Sequence, residues 1–293
     1  MADKYFENFP LVTYSNNQVV DITRRVTLLD RVSRSPYIFF EYDIEDFERP
    51  DQLSNRYYDD PFKSWILYLT NKITDPYFEW YLDNQEFNQL LEKKYGSFIN
   101  AINKIKYFRN DWENQENISV SAYNSLANSM KKYWNPVYGN GSNIISYERK
   151  NEDWISNTNK VISYNLSSNS NFIKDEICEV KINNNTTGKG QVSKVANNVL
   201  YLQHVSGSFF DSDELPLNSN SYVYGTESNS NVVVTEITAI ANNISEEELI
   251  YWKPITYFDY ETETNEYNKS IRVIDKDLRF TAVDNLRFLL SEE

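Results

Sequence analysis

Residues 37–82 read YIFFEYDIEDFERPDQLSNRYYDDPFKSWILYLTNKITDPYFEWYL, and this stretch is the most regularly patterned part of the chain. It opens with an aromatic and β-branched run, YIFFEY at 37–42, which predicts a buried strand. Pro50 then occupies a position typical of the first turn of a helix, and Leu53 and Tyr57 follow four residues apart on one face. The stretch therefore predicts a strand followed by a helix.

A second helix is predicted in FKSWILYLTN, residues 62–71. Its apolar side is formed by Trp65, Ile66 and Leu69. Together with Leu53 of the preceding helix, these three residues are the expected core of a lobe at 37–82.

The segments on either side of this lobe have less regular patterns. Residues 1–36 show short polar–apolar alternations and are expected to be an extended arm. Residues 83–160 begin with a helix capped by Asp83 and ended by Gly96, and then become polar and rich in asparagine. We expect 83–160 to be a helical and irregular connecting region.

The remaining residues change from helical patterns to short β-prone runs. Residues 161–240 contain VISYNL, ICEVKI, VLYLQHVSGSF and similar runs separated by Asn, Ser and Gly, which predicts a small β module. Residues 241–293 are expected to be a mixed α/β segment, with a short helix SEEELIYW, strands PITYFDYE and SIRVIDK, and a final helix AVDNLRFLLSEE. The predicted fold class is a multi-lobed α+β protein.

Composition excludes several classes of function. The 293 residues carry 29 basic and 43 acidic side chains, a net charge of −14, which disfavours binding to nucleic-acid phosphates. The sequence has no run of 18 apolar residues, and MADKYFENFP lacks a signal-peptide pattern, so we expect no membrane partner and a role inside a cytoplasm or after lysis. One cysteine and one histidine exclude a disulfide framework, a cysteine-based zinc site and a multi-histidine site.

Few residues have a type or spacing that suggests catalysis or metal binding. The motif at Gly188 lacks the residues of a phosphate-binding loop. His204 has no serine or cysteine at a fixed spacing that could act as its nucleophile, and we interpret it as structural. Cys178 lies in an apolar run and is interpreted in the same way. Asp211, Asp213 and Glu214 form either a calcium or magnesium loop or, as we favour, a solvated turn. The sequence thus predicts no enzyme activity, no cofactor and no metal.

The predicted lobe resembles a LysM fold, a β-α-α-β module that binds N-acetylated sugars. The resemblance lies in the YIFFEY strand, the helix around Leu53 to Tyr57, the turn and the second helix ending at Asn71. This resemblance implies one possible function, a peptidoglycan-binding LysM protein of a lytic or cell-wall apparatus.

A second resemblance covers more of the chain. The string RPDQLSNRYYDDPFKSWILYLTNKITDPYFEWYL, residues 49–82, is similar to the LysM-like lobe of a baseplate wedge protein of contractile-tailed bacteriophages, the subunit that clamps neighbouring wedges. The positions that carry this similarity are Pro50, Tyr57, Tyr58, Pro61, Trp65, Asn71, Asp75, Pro76, Tyr77 and Trp80. Further similar segments are 19–26, 131–150, 190–210 and 271–280.

This family resemblance implies a structural component of the tail baseplate wedge that clamps neighbouring wedge subunits during assembly. Its implied partners are other wedge proteins, including neighbouring wedges and the tail-sheath-initiating region, and its implied location is the virion, with the host cytoplasm during assembly. Large aromatic side chains often dominate protein interfaces. Tyr57, Tyr58, Tyr77 and Trp80, near the turns and exit of the lobe, are therefore candidates for contact with those partners; for Tyr58, Tyr77 and Trp80 the alternative is a place in the core of the lobe.

Overall fold

The computed structural model describes residues 5–24, 26–110, 117–150, 154–209 and 221–291. Within them the α-helices are α1 (Asp30–Ser33), α2 (Pro50–Tyr58), α3 (Ser64–Asn71), α4 (Asn84–Tyr95), α5 (Phe98–Asn103), α6 (Val120–Ser125), α7 (Asn128–Lys131), α8 (Tyr257–Lys269) and α9 (Arg279–Ser291). The strands are β1 (Leu11–Tyr14), β2 (Asn17–Val20), β3 (Phe39–Asp43), β4 (Ile105–Asn110), β5 (Asn117–Ser119), β6 (Trp134–Tyr138), β7 (Ile144–Arg149), β8 (Ile155–Ser156), β9 (Lys160–Leu166), β10 (Ile177–Ile182), β11 (Asn185–Ala196), β12 (Val199–Gly207), β13 (Ser221–Gly225), β14 (Asn231–Asn242), β15 (Trp252–Thr256) and β16 (Ser270–Ile274). The predicted α+β class is confirmed.

The chain folds into two compact units that do not follow the order of the sequence. Unit 1 joins residues 1–96 to residues 261–293, and unit 2 comprises residues 97–260. The predicted C-terminal segment, 241–293, is therefore divided between them. The reason is that its last strand and helix bury their apolar faces against the N-terminal residues.

Unit 1 is built around an antiparallel pair of strands that are far apart in sequence. β3 pairs with β16 in a register that aligns Tyr42 with Ile271 and Phe39 with Ile274. The helices α2 and α3 follow β3 directly, in the order that the apolar pattern predicts. Asn71 at the end of α3 accepts a hydrogen bond from the Arg272 backbone N–H at 2.8 Å and donates to the Arg272 carbonyl at 2.9 Å, and so ties α3 to β16.

The ends of α2 explain why it forms at this point. Pro50 takes the first helical position, and the side chain of Gln52 accepts a hydrogen bond from the Arg49 backbone N–H at 3.1 Å. Asp59 ends the helix in the left-handed conformation, with φ of 57°. Leu53 and Tyr58 then point into the core of unit 1.

The core of unit 1 combines side chains from both ends of the chain. Its buried members are Phe9, Val26, Ile44, Leu53, Tyr58, Trp65, Ile66, Leu67, Trp80, Ile271, Val273, Ile274, Ala282, Val283, Leu286 and Leu290. By contrast, the N-terminal hairpin of β1 and β2 is exposed at every strand residue. Its two-residue turn has positive φ at Ser15 and Asn16, as a tight hairpin requires.

Unit 2 contains a closed antiparallel barrel with the strand order β10-β11-β12-β9-β14-β13. Its strands extend from Lys160 to Asn242, the region in which the sequence predicts a β module. The barrel core is apolar and includes Ile162, Tyr164 and Leu202, with Cys178 fully buried among them. Alternation of apolar and polar residues along each strand places one side in this core.

Two small sheets complete unit 2 and correct the predictions for its other residues. The order of the first is β15-β4-β8 and that of the second is β5-β7-β6. The region 83–160, expected to be helical and irregular, thus contains five strands within its described residues. A few buried aromatic residues, among them Phe108, Tyr133 and Trp134, form the core beside these strands. The strands are too short for the periodicity of the sequence to reveal them.

The predicted elements after residue 244 also need correction. The expected helix SEEELIYW contains a 3-10 turn at Leu249–Tyr251 and then enters β15, while the expected strand PITYFDYE becomes α8 after Thr256. Thr256 and Asp259 explain the switch. The Asp259 carboxylate accepts the Thr256 backbone N–H at 3.0 Å, and the Thr256 hydroxyl accepts the Asp259 N–H at 3.1 Å, which is a reciprocal helix cap.

Candidate protein interface

The structure separates the four aromatic residues that the sequence groups as interface candidates. Tyr58 and Trp80 are 2% and 5% exposed, whereas Tyr77 is 84% exposed. Tyr58 donates a hydrogen bond to the Ile274 carbonyl at 2.9 Å and belongs to the core of unit 1. Tyr58 and Trp80 are therefore core residues, the alternative that the sequence left open for them, because both rings are enclosed by their own chain.

Tyr57 lies at the edge of this core. Its ring is 5.0 Å from those of Phe40 and Tyr58, centroid to centroid, and its hydroxyl accepts the Lys276 backbone N–H at 3.2 Å. Partial burial raises the pKa of the Tyr57 hydroxyl. These contacts give Tyr57 a packing role in unit 1.

The four residues expected in the core of the lobe all belong to the core of unit 1 or pack against it. Leu53, Trp65 and Ile66 are buried, and Leu69 is partly buried and packs against the same cluster. They position α2 and α3, and through them the loops that precede and follow these helices.

The loop after α3 forms a rigid turn that presents Tyr77 and Phe78. The Glu79 carboxylate accepts the backbone N–H groups of Thr74 at 2.6 Å and Asp75 at 3.2 Å. Asp75 in turn accepts the Tyr77 N–H at 3.1 Å. The Thr74 backbone hydrogen bond lowers the pKa of Glu79, which keeps this carboxylate charged and accepting. Tyr77 and the 48% exposed Phe78 project from the turn that results.

The loop before α2 forms a second turn of similar construction. The Glu48 N–H donates to the Glu45 carbonyl at 3.1 Å, and the Glu48 carboxylate accepts the Glu45 N–H at 3.2 Å. Tyr42 donates its hydroxyl to the same carboxylate at 2.8 Å, and Arg56 pairs with it from α2. The turn presents Phe47, which is 74% exposed.

Two side chains that follow turn 74–79 join it to turn 45–48. The Trp80 indole N–H donates to the Glu48 carbonyl at 2.9 Å, and the Tyr81 hydroxyl donates to the Asp46 carboxylate at 3.2 Å. Turns 45–48 and 74–79 are therefore joined by two hydrogen bonds. We call the exposed rings of Phe47, Tyr77 and Phe78 the two-turn surface.

Sequence reasoning found Tyr77 but missed Phe47 and Phe78. A signal for both is present, since each turn contains the dipeptide Phe-Glu, at 47–48 and 78–79. In each case the glutamate folds back onto backbone N–H groups of the preceding residues and leaves the phenylalanine outside. The sequence left Trp80 open between core and interface, because an aromatic run by itself does not show which ring points inward.

The chemical groups outside this surface offer few other sites. His204 is buried, and burial lowers its pKa to about 4. Burial likewise raises the pKa of the Cys178 thiol. Among the described residues, no cluster of three or more His, Cys, Asp or Glu side chains could hold a metal ion. Asp211, Asp213 and Glu214 lie outside the described residues.

Comparison with known proteins supports a viral structural role. Residues 13–128 match a family model described as base plate wedge protein 53. The matched residues are fewer than half of the chain, and they include both turns of the two-turn surface. No curated protein matches the chain.

The match supports a bacteriophage baseplate wedge protein that associates with other baseplate proteins in the tail. Nothing found in these comparisons supports the peptidoglycan-binding alternative. Among the described residues, every helix is too short or too polar to cross a membrane.

Proposed function

We propose that this protein is a non-enzymatic structural subunit of a phage baseplate wedge, and that it clamps neighbouring wedge subunits together during assembly. The family match over residues 13–128 is the observation that carries the proposal. The proposed partners are other wedge proteins, including those of neighbouring wedges and of the tail-sheath-initiating region. The proposed location is the tail baseplate, with the host cytoplasm as the place of assembly, and the protein acts without nucleic acid, membrane or cofactor.

The two-turn surface supports this role through its rigidity. Each turn is held by a carboxylate that accepts backbone N–H groups, and the turns are hydrogen-bonded to each other through Trp80. Aromatic rings on a preorganised backbone lose little conformational entropy on binding. Phe47, Tyr77 and Phe78 therefore have the properties of interface anchors.

The arrangement of β3, α2, α3 and β16 supports a LysM-like lobe as the frame of this surface. In this arrangement β3 is followed by the two helices, and β16, from the other end of the chain, pairs antiparallel with β3. We propose that this lobe serves assembly, because the exposed aromatic rings next to it suit a protein partner.

The test is co-assembly of the full chain with the other baseplate wedge proteins of the same phage. We expect Tyr77→Ala/Phe78→Ala to fold normally, because both side chains are exposed, and to enter wedge complexes at no more than about a tenth of the wild-type level. Size-exclusion chromatography with quantification of each subunit measures the result.

The matched control is Tyr37→Ala. Tyr37 is 89% exposed in the same unit, but it precedes β3, whereas turn 45–48 follows it. Tyr37→Ala should assemble like the wild type. A wild-type chain that enters no wedge complex would contradict the proposed function, and equal assembly of both variants would remove Tyr77 and Phe78 from the interface.

A further inference from the structure

Phe47 combines two features that an ordinary turn residue avoids. Its backbone is left-handed, with φ of 62°, and its ring is largely in solvent. A bulky non-glycine residue in this conformation costs about 1 kcal/mol or more. A phenylalanine at this position thus adds strain to the turn and buries little of its own apolar area.

The surroundings of Phe47 impose this conformation. Its neighbour Glu48 is anchored by its backbone N–H to Glu45, by its carboxylate to Tyr42 and Arg56, and by its carbonyl to Trp80. The turn is thus fixed on the side that faces the protein, and the ring is held on the side that faces solvent. Glycine would satisfy the same backbone without strain.

Exposed acidic residues precede Phe47 in the sequence. Glu45 and Asp46 immediately precede it and are both exposed, and Glu41 and Asp43 are exposed on β3 just upstream. Arg56 lies 3.8 Å from Glu45 and also pairs with Glu48, so it offsets part of this charge. The neighbouring Arg49 pairs with Asp51 at 3.1 Å. The segment from Glu41 to Glu48 therefore remains negative.

We propose that Phe47 is the anchor of the two-turn surface and inserts into an apolar pocket rimmed by lysine or arginine on another baseplate protein. This inference rests on the proposed function. The ring supplies the apolar contact, and the carboxylates of Glu45 and Asp46 supply charge complementarity at the rim. A second copy of this chain fits the site poorly, because its net charge of −14 has the same sign as the carboxylates of the rim and repels them.

The first experiment replaces Phe47 with glycine in the full chain and measures both melting and co-assembly with the other wedge proteins of the phage. Phe47→Gly should melt at or above the wild-type temperature, because it relieves the left-handed strain. It should also reduce incorporation into wedge complexes at least tenfold. Unchanged or increased stability together with loss of assembly is a result that a merely structural role would not give.

The second experiment tests the charge of the partner. Glu45→Gln/Asp46→Asn should weaken association and reduce its dependence on salt between 50 and 300 mM NaCl, roughly over the range in which exposed charges become screened. The control Glu7→Gln/Asp277→Asn removes two exposed carboxylates elsewhere in unit 1 and should leave association and its salt dependence unchanged.

The outcomes separate the two proposals. If the wild type assembles and Phe47→Gly assembles equally well, the anchor is wrong and the proposed function stands. If Phe47→Gly unfolds, the ring is needed by its own chain and the anchor is also wrong. If association of the wild type is insensitive to salt, or the control variant behaves like Glu45→Gln/Asp46→Asn, the basic partner is wrong. If the wild type itself does not assemble, the proposed function fails.

Discussion

Trp80→Ala should strongly destabilise unit 1 and Tyr77→Ala should not, although the two aromatic residues are only three positions apart. Trp80 is almost completely buried in the core of unit 1, whereas Tyr77 projects from turn 74–79. Removing a buried tryptophan ring costs about 3–5 kcal/mol, and loss of the Trp80–Glu48 hydrogen bond adds about 1 kcal/mol. Tyr77→Ala should stay within about 0.5 kcal/mol of the wild type.

The corresponding change in melting temperature follows from the size of unit 1. A unit of about 130 residues shifts by about 3–4 °C for each kcal/mol, so the total loss of about 4–6 kcal/mol in Trp80→Ala should lower its melting midpoint by about 12–24 °C. The measurement is hydrogen exchange of α3 and β16 amides during thermal and urea unfolding of the full chain. This readout follows unit 1 alone, which bulk spectroscopy of a two-unit chain does not.

Trp80→Phe serves as the intermediate variant. It keeps an aromatic ring in the core and loses the indole N–H that joins the two turns, so we expect a loss of about 1–2 kcal/mol. The reasoning is refuted if Trp80→Ala leaves the exchange midpoints of unit 1 unchanged, or if Tyr77→Ala lowers them as much as Trp80→Ala does.

Two further predictions concern the barrel of unit 2. Glu176→Gln should lower the free energy of unfolding by about 2–4 kcal/mol, because the buried carboxylate accepts four hydrogen bonds, from Ile173, Glu227 and twice from Ser228, and an amide cannot accept them all. Hydrogen exchange of barrel amides measures this loss, and unchanged protection would contradict it. Burial lowers the pKa of His204 to about 4 in the folded chain, against about 6.5 when unfolded. The stability of the fold is therefore complete in this respect above pH 6.5, and about 3 kcal/mol is lost as the pH falls to 4. His204→Asn, which tolerates the left-handed backbone, should remove this part of the pH dependence in urea titrations, and an identical pH profile would disprove the assignment.

Local patterns were sufficient to predict the elements around α2 and α3. Pro50 marks the first turn of α2, and the spacing of Leu53, Trp65 and Ile66 identifies the sides that become buried. These signals act within a few residues, so the sequence carries them without knowledge of the tertiary fold.

The features that the sequence did not reveal depend on long-range packing. The β3–β16 pair joins segments more than two hundred residues apart, and a local pattern does not specify a distant partner. The burial of Tyr58 follows from its hydrogen bond to Ile274 on that distant strand. The exposure of Phe47 follows from the fold-back of Glu48, which is visible only once the turn is built.

The most direct test of the central claim is a cryo-electron microscopy reconstruction of the tail baseplate of this phage. The account predicts density for the chain at the contact between neighbouring wedge subunits, with Phe47 and Tyr77 covered by another baseplate protein and a lysine or arginine beside Asp46. Absence of the chain from the baseplate, or a reconstruction in which turns 45–48 and 74–79 both face solvent, would contradict it.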